Sequence, residues 1–232
     1  VNTNKIIEKA NQIQFIKNFN KNLSVEDIIQ FNSMMDDGCK INNNAFGFFN
    51  NQITHKQKGK YDNFILKDTN NFFNELKKES FVVGHNRLTT NGSEDNNNNN
   101  HPFENSQFIL CHNGILNNYL QLKKENNLKY EIETDSYVIL ELITKFYNEN
   151  NKNIIKTIQN TTEKLQGSFS IMLYNKETKL LYYFRNGYTD FYFCLVRRKD
   201  ETILLGSTSK SNFDELYINK FMIFKEKNFI KK

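Results

Sequence analysis

The sequence predicts an α+β fold, with sheets packed against helices. Three patterns carry that expectation. Short apolar runs that read as strands lie on both sides of a central pair of helical patterns. Those two helical patterns, near residues 137–145 and 153–165, are neighbours in the chain. No Pro- or Gly-rich stretch and no shift in composition marks a linker, so the 232 residues are expected to form a single domain, 1–232.

Taken in order, the first element is a helix. Ser24 suits an N-cap with Asp27 three residues on, and Ile28, Ile29, Phe31 and Met35 supply one apolar face. Asp37-Gly38 is expected to end it, glycine being suited to a C-terminal cap. Ala45-Phe46-Gly47-Phe48-Phe49 reads as a strand, as do Phe81-Val82-Val83-Gly84-His85 and Phe108-Ile109-Leu110-Cys111-His112. The last of these is expected to close at Asn113-Gly114, a turn dipeptide. The run 96–100 is all asparagine and is expected to be a solvent-facing, low-complexity loop. A short helix carrying Tyr119, Leu120 and Leu122 follows. Thr134-Asp135-Ser136 precedes the clearest helix, where Tyr137, Val138, Leu140, Glu141, Leu142, Thr144 and Lys145 place apolar residues at spacings of three and four. A second helix runs to about residue 165, and Gly167 breaks it. Residues 169–174, 180–185, 191–196, 202–207 and 221–224 then read as strands.

Composition narrows the function classes. Twenty-one Phe and 11 Tyr supply core material beside 39 Asn, one Pro and no Trp, which excludes a wholly disordered, collagen-like or coiled-coil chain. Abundant Asn, Lys, Ile, Phe and Tyr with two Ala fit an AT-rich coding genome, viral or microbial. The formal charge of +5 is spread out, and Lys and Glu alternate in stretches such as Glu75-Leu76-Lys77-Lys78-Glu79. No nucleic-acid partner is therefore expected. No apolar run approaches about 18 residues, so no membrane span is expected either. Cys39, Cys111 and Cys194 form an odd set without a Cys-x-x-Cys pair or a secretory signal, which fits a reducing, cytoplasmic compartment. The four histidines do not fall at helical ligand spacing, so no structural zinc site is expected.

Four segments put small polar groups at strand ends and turns, where a core has no need of them. They are Gly84-His85-Asn86-Arg87-Leu88-Thr89-Thr90-Asn91-Gly92, Asn100-His101-Pro102-Phe103, Leu110-Cys111-His112-Asn113-Gly114 and Glu133-Thr134-Asp135-Ser136. Arg87 follows a buried-looking strand and offers a fork for a carboxylate. Each segment also has a plain structural reading. Arg87 alone is more often a surface or capping arginine, Asn113-Gly114 a turn, His101-Pro102 loop chemistry, and Asp135 a helix N-cap.

Order and spacing separate these readings. Together the four segments resemble the class II glutamine amidotransferases, the N-terminal-nucleophile glutaminase domains such as that of glucosamine-6-phosphate synthase. The family runs Gly-His-x-Arg-x-x-Thr-x-Gly, Asn-x-His-Pro or Asn-His-Pro, His-Asn-Gly, then Thr-Asp-Thr or Thr-Asp-Ser, and all four occur here in that order. Leu165-Gln166-Gly167-Ser168-Phe169-Ser170, Phe184-Arg185-Asn186-Gly187 and Gly206-Ser207-Thr208 are similar to later family segments, and residues 40–47 resemble a degraded Arg-Gly-x-Asp-x-x-Gly. The resemblance implies a four-layer αββα sandwich of the N-terminal-nucleophile hydrolase type. It implies a site for L-glutamine in which Arg87 clamps the α-carboxylate and Thr90 adds a hydroxyl. Leu88, where the family often has an aromatic residue, neighbours the substrate. Asp135 holds the α-ammonium, and Asn113 with the Gly114 N–H forms the oxyanion hole. No metal or organic cofactor is implied.

The family nucleophile is a cysteine at the mature N-terminus, and Val1 has no nucleophilic side chain. Cys39 lies in the degraded segment without an adjacent amine. Cys111 and His112 are strand neighbours facing opposite sides, and Cys194 sits in an apolar strand. One expectation is a domain lacking its first strand, with the cysteine just upstream of Val1, hydrolysing glutamine through a cysteinyl thioester. The other is a relative that binds glutamine or a partner without hydrolysis, or a structural, virion-associated protein. The chain length leaves no room for an acceptor domain, so ammonia would pass to a separate synthetase domain or protein.

Overall fold

The computed structural model describes residues 14–16, 25–40, 42–50, 52–64, 74–76, 81–186, 192–196, 202–206, 214–215, 222–225 and 228–231. In chain order the elements are β1 (Gln14–Ile16), α1 (Val25–Cys39), β2 (Ala45–Phe49), β3 (Thr54–Lys58), β4 (Val83–Arg87), a 3-10 turn (Asn97–Asn99), β5 (Phe103–Glu104), β6 (Phe108–Leu116), α2 (Tyr119–Glu125), α3 (Asp135–Glu149), α4 (Ile154–Thr162), β7 (Gly167–Asn175), β8 (Leu180–Arg185), β9 (Tyr192–Val196), β10 (Thr202–Gly206), β11 (Asp214–Glu215), β12 (Met222–Lys225) and β13 (Asn228–Lys231). They divide into two compact units, one of Val1–Lys17, Phe103–Thr189 and Tyr217–Lys232, the other of Asn18–Pro102 and Asp190–Leu216.

The first unit is built on a five-stranded antiparallel sheet in the order β1-β8-β7-β6-β5. Its spine is β6 against β7, in register from Phe108 opposite Asn175 to Leu116 opposite Gly167. Strand alternation turns Leu110 and Leu116 of β6, Phe169, Ile171 and Leu173 of β7, and Tyr182 and Phe184 of β8 to one face. That face shares a buried cluster with Val138, Leu142, Ile143 and Phe146 of α3. Each such side chain, fully buried, contributes about 1.5–3 kcal/mol. The helix α3 is buried on more than one side, with Ile139 and Leu140 also at 0% exposure. Asn153 caps α4 by accepting from the Lys156 N–H at 3.1 Å.

The second unit holds a sheet in the order β3-β2-β4 and another in the order β10-β9-β11. Every residue of β2 is buried. Phe46 and Phe48 share a core with Ile28, Phe31 and Met35 of α1 and with Tyr61 and Leu76.

Most expected elements are present, with three corrections. Ile29 is 52% exposed while Ile28, Phe31 and Met35 are buried, because the stripe that faces β4 runs at i, i+3 and i+7 and passes Ile29 by. Gly38 lies within α1, which continues to Cys39; the Ser24 cap lies outside the described residues. Asn113-Gly114 is not a turn, since β6 runs through both to Leu116. The strand β3, of sequence Thr-His-Lys-Gln-Lys, carries no apolar alternation and is an edge strand held by its partner β2.

Candidate functional site

Arg87 ends β4, and the packing behind that strand explains its placement. At Gly84 a Cβ would come 2.3 Å from the Met35 sulfur and 2.7 Å from the Phe31 ring, so glycine lets α1 lie this close. Two residues on, the Asn86 amide donates to the Met35 carbonyl at 2.8 Å. Arg87 leaves this fixed strand end only 4% exposed, which overturns the surface-arginine reading. Its Nη1 donates to Asn100 Oδ1 at 2.6 Å, and its Nη2 donates to the carbonyls of Asn91 and, at 2.9 Å, Gly92.

The loop after Arg87 is tied down along its length. Asn100 Nδ2 donates to the Glu94 carbonyl and to Asn97 Oδ1, each at 3.0 Å, and Asn99 Nδ2 donates to the Ser93 carbonyl at 3.1 Å. Asn44 accepts from the Thr89 N–H at 3.1 Å, and Glu94 accepts from the Thr89 hydroxyl at 3.0 Å. A hydrogen bond at its own backbone, then the Thr89 hydroxyl, holds the Glu94 carboxyl below its ordinary range. Thr89 spends its hydroxyl inside the loop, whereas Thr90 and Leu88 are exposed, Leu88 at 57%. The asparagine run is thus not a simple solvent-facing loop: Asn99 and Asn100 are both 0% exposed. Their partners include backbone carbonyls, the Asn97 side-chain amide and one guanidinium, and composition alone carries no signal of such partners.

In the other unit, Asn113 and Gly114 lie near the end of β6, with Asn113 exposed. Gly114 has φ +138°, and a Cβ there would sit 2.1 Å from the Ser168 carbonyl oxygen. The backbone on both sides is anchored. The Ile115 N–H donates to Ser168 Oγ at 3.1 Å, and the Leu116 N–H donates to Asp135 Oδ2 at 2.8 Å. Asp135 is the first residue of α3 and is 3% exposed. Thr134 is the N-cap, without a side-chain capping bond, so the N-cap reading of Asp135 does not hold. Its carboxylate instead ties the helix start to the end of β6. At the start of β7, Asn186 accepts from the Phe169 N–H at 3.1 Å and donates to the Gly167 carbonyl at 2.6 Å.

His112 is a residue of β6 and is buried. Its Nδ1 is 2.9 Å from Ser136 Oγ and its Nε2 is 3.4 Å from the Ser168 carbonyl. Burial pushes the imidazole pKa down, while the Asp135 charge and the Ser168 carbonyl act in the other direction. A neutral imidazole carries one N–H, so it donates either to Ser136 Oγ or to the Ser168 carbonyl, and the Ser136 hydroxyl also lies 3.4 Å from Asp135 Oδ1 as a donor. The unfolded chain protonates near pH 6.5 and the folded chain only below that. Stability present above about pH 6.5 is therefore lost as pH falls, by up to about 1.4 kcal/mol per unit for each such group. His55, among Phe46, Phe48 and Phe64, is lowered by burial in the same direction. The variant His112→Gln is expected to flatten this acid limb, measured as denaturation midpoints between pH 7.5 and 5.5. Parallel slopes in the two proteins would refute the assignment of that limb to His112.

Cys39 is buried and donates to Asp62 Oδ1 at 3.2 Å, and burial raises its pKa; Cys111 is buried on β6. The side chain of Cys194 lies outside the described residues. Among the described residues no group of His, Cys, Asp and Glu could hold a metal ion, and no helix is long and apolar enough to cross a membrane. The structure gathers Arg87, Leu88 and Thr90 on one loop of one unit, and Asn113, Gly114 and Asp135 on bonded backbone of the other. Sequence reasoning missed Asn44 and Glu94, and it quoted Asn100, Ser136 and Ser168 within its segments without giving them the anchoring roles seen here.

A family model described as a glutamine amidotransferase domain matches residues 85–213. The chain is 33% identical over 114 residues to a glutamine–fructose-6-phosphate aminotransferase (isomerizing) of Buchnera aphidicola, covering 46% of this chain and 18% of that protein. It is 30% identical over 174 residues to a probable enzyme of the same name from Acanthamoeba polyphaga mimivirus, covering 63% of this chain and 28% of that one. The chain thus spans well under a third of the length of these relatives. Among solved structures, the glutamine phosphoribosylpyrophosphate amidotransferase from B. subtilis superposes with a TM-score of 0.54 at 19% identity, covering 72% of this chain and 36% of that one. The α+β fold is of that N-terminal-nucleophile hydrolase type.

Proposed function

The chain belongs to the glutamine amidotransferase domain family, and from that premise we propose that it performs the glutaminase half-reaction. L-Glutamine and water would give glutamate and ammonia. The observation that carries the proposal is the Asn113-Gly114 segment, an exposed side-chain amide beside a glycine in a conformation other residues avoid, anchored on both sides. Amide hydrolysis passes through tetrahedral oxyanions, and two neutral donors fixed beforehand stabilise that charge as it forms.

In the proposed mechanism, a cysteine at a mature N-terminus ahead of Val1 supplies the thiol, and its α-amine takes the thiol proton. The sulfur attacks the glutamine Cδ, and the carbonyl oxygen becomes an oxyanion facing the Asn113 amide and the Gly114 N–H. Collapse breaks the C–N bond, the α-ammonium returns its proton to the departing nitrogen, and ammonia leaves a γ-glutamyl thioester. Water then attacks the thioester through a second oxyanion and releases glutamate and the thiol. Arg87 holds the α-carboxylate, Thr90 adds a hydroxyl, Leu88 borders the substrate, and Asp135 receives the α-ammonium. The ammonia passes to an acceptor-binding synthetase domain or protein, a reading supported by the greater length of the aminotransferase relatives.

The test is glutamate release from glutamine by the chain joined behind a Cys-Gly-Ile-Phe-Gly leader. Release above that of the same protein carrying Asp135→Asn is expected. Glutamine binding by calorimetry without release would sink the catalytic reading and leave a binding domain.

A further inference from the structure

The hydrogen-bonding parity of β6 shows which backbone groups its pairing with β7 leaves over. The Lys176 N–H donates to the Gln107 carbonyl at 2.9 Å and the Asn117 N–H to the Gln166 carbonyl at 2.8 Å, one bond at each end of the β6–β7 pair. Bonded positions of an antiparallel pair recur at every second residue. The backbone groups of residues 113 and 115 therefore face β7, and those of 112, 114 and 116 face away. Two contacts agree with this. Leu110 pairs with Phe103 of β5 on the far side, and the Leu116 N–H reaches Asp135 Oδ2. β5 extends along β6 only as far as Leu110, so the Gly114 N–H points away from β7 at a stretch of edge that no described strand covers.

Ser168 controls how that N–H is aimed. It stands opposite Ile115, where a regular ladder directs the Ile115 N–H at the Ser168 carbonyl. Ser168 Oγ accepts that N–H at 3.1 Å and so draws it toward the side chain. The Ser168 carbonyl oxygen lies 2.1 Å from where a Cβ of residue 114 would be and 3.4 Å from His112 Nε2. The hydroxyl thus clamps the peptide plane that follows Gly114, while the pairing of Asn113 with Ser170 holds the plane before it. Between these two planes Gly114 takes φ +138°, and this angle sets the direction of its N–H. Resting on the oxyanion role proposed for Asn113 and Gly114, we propose that Ser168 is the positioning residue that aims the Gly114 N–H at a tetrahedral anion. Alanine at position 168 would leave the Ile115 N–H only the ladder carbonyl, and the plane between residues 114 and 115 would turn toward regular pairing.

The test reads binding, so the chain needs no thiol for it. Wild type, Ser168→Ala, Ser168→Thr and Asn113→Ala are titrated by ligand-observed NMR with L-glutamine and with L-2-amino-4-phosphonobutanoate. The two ligands share their α-groups, and the phosphonate puts a tetrahedral anion where glutamine has its amide carbon. Ser168→Ala is expected to weaken the phosphonate about tenfold, the effect of one lost hydrogen bond to a charged group. Glutamine should stay within about threefold, since its neutral carbonyl takes a weaker bond. Ser168→Thr keeps the hydroxyl and should restore the wild-type ratio of the two affinities. Ser168→Cys, similar in size but a poor acceptor, carries the test if the alanine variant does not fold. General loosening of the sheet would weaken both ligands equally and overturn the inference. If Asn113→Ala changes the ratio while Ser168→Ala does not, or if threonine fails to restore it, the role of Ser168 falls and the oxyanion reading stands. If wild type binds no phosphonate, or Asn113→Ala leaves the ratio unchanged, the oxyanion reading itself fails, and the role of Ser168 with it.

Discussion

Replacing Arg87 by alanine is expected to weaken L-glutamine binding by about 30-fold or more, the range of roughly 2–5 kcal/mol typical of truncating a buried, hydrogen-bonded charge pair. Two losses add up in that variant. On the role proposed for Arg87 the ligand carboxylate loses its guanidinium partner, and Asn100 Oδ1, buried at 0% exposure, loses the donor at 2.6 Å. An orphaned buried acceptor costs about 1–3 kcal/mol by itself, so the loop should also be less stable. Arg87→Lys separates the two effects. It keeps the charge, but a single ammonium cannot reach Asn100 and the Asn91 and Gly92 carbonyls in one plane. Binding in the lysine variant should fall between those of wild type and the alanine variant. Calorimetry with glutamine checks the series, and an Arg87→Ala protein that binds within about threefold of wild type would remove Arg87 from the site.

How far the sequence revealed this arrangement depended on whether a residue's role is periodic or relational. The helix α3 was legible because Val138, Leu142 and Phe146 recur at helical spacing, and its sheet partners because Phe169, Ile171 and Leu173 alternate. The four polar segments were legible as a set because their order and spacing resemble the amidotransferase family, although each alone had a plain structural reading. What stayed hidden lies in partners far apart in the chain. Nothing local distinguishes Asn100, which reaches Arg87, from Asn98, which is exposed. The bond from the Leu116 N–H to Asp135 joins the end of a strand to the start of a helix 19 residues on. Asn113-Gly114 read as a turn because that dipeptide favours positive φ. In the fold the positive φ occurs inside a strand, where pairing with Ser170 and Phe169 continues. Local preference was right there, and tertiary pairing decided where it was used.

Two substitutions at adjacent positions of β6 should fail in opposite ways. Asn113→Ala removes an exposed amide that the described fold does not need, so its melting temperature should stay near that of wild type. Turnover of glutamine, in the protein bearing an N-terminal cysteine, should fall by about 10²–10³, the usual effect of losing one oxyanion donor. Affinity for glutamine should change little, since the donor acts on charge that develops only after attack. Gly114→Ala leaves the amide in place but adds a Cβ 2.1 Å from the Ser168 carbonyl oxygen, on a backbone at φ +138°. Backbone strain of about 1–3 kcal/mol and overpacking of similar size should together lower stability by roughly 3 kcal/mol. In a chain of this length that corresponds to about 6–12 °C in Tm. Relief by moving Ser168 is blocked on both sides, because its Oγ accepts from Ile115 and its carbonyl faces His112 Nε2. The pair therefore separates chemistry from fold at neighbouring residues. Thermal melts and single-turnover glutamate release read the two effects independently, and an Asn113→Ala protein that keeps full turnover would take the oxyanion role away from this strand.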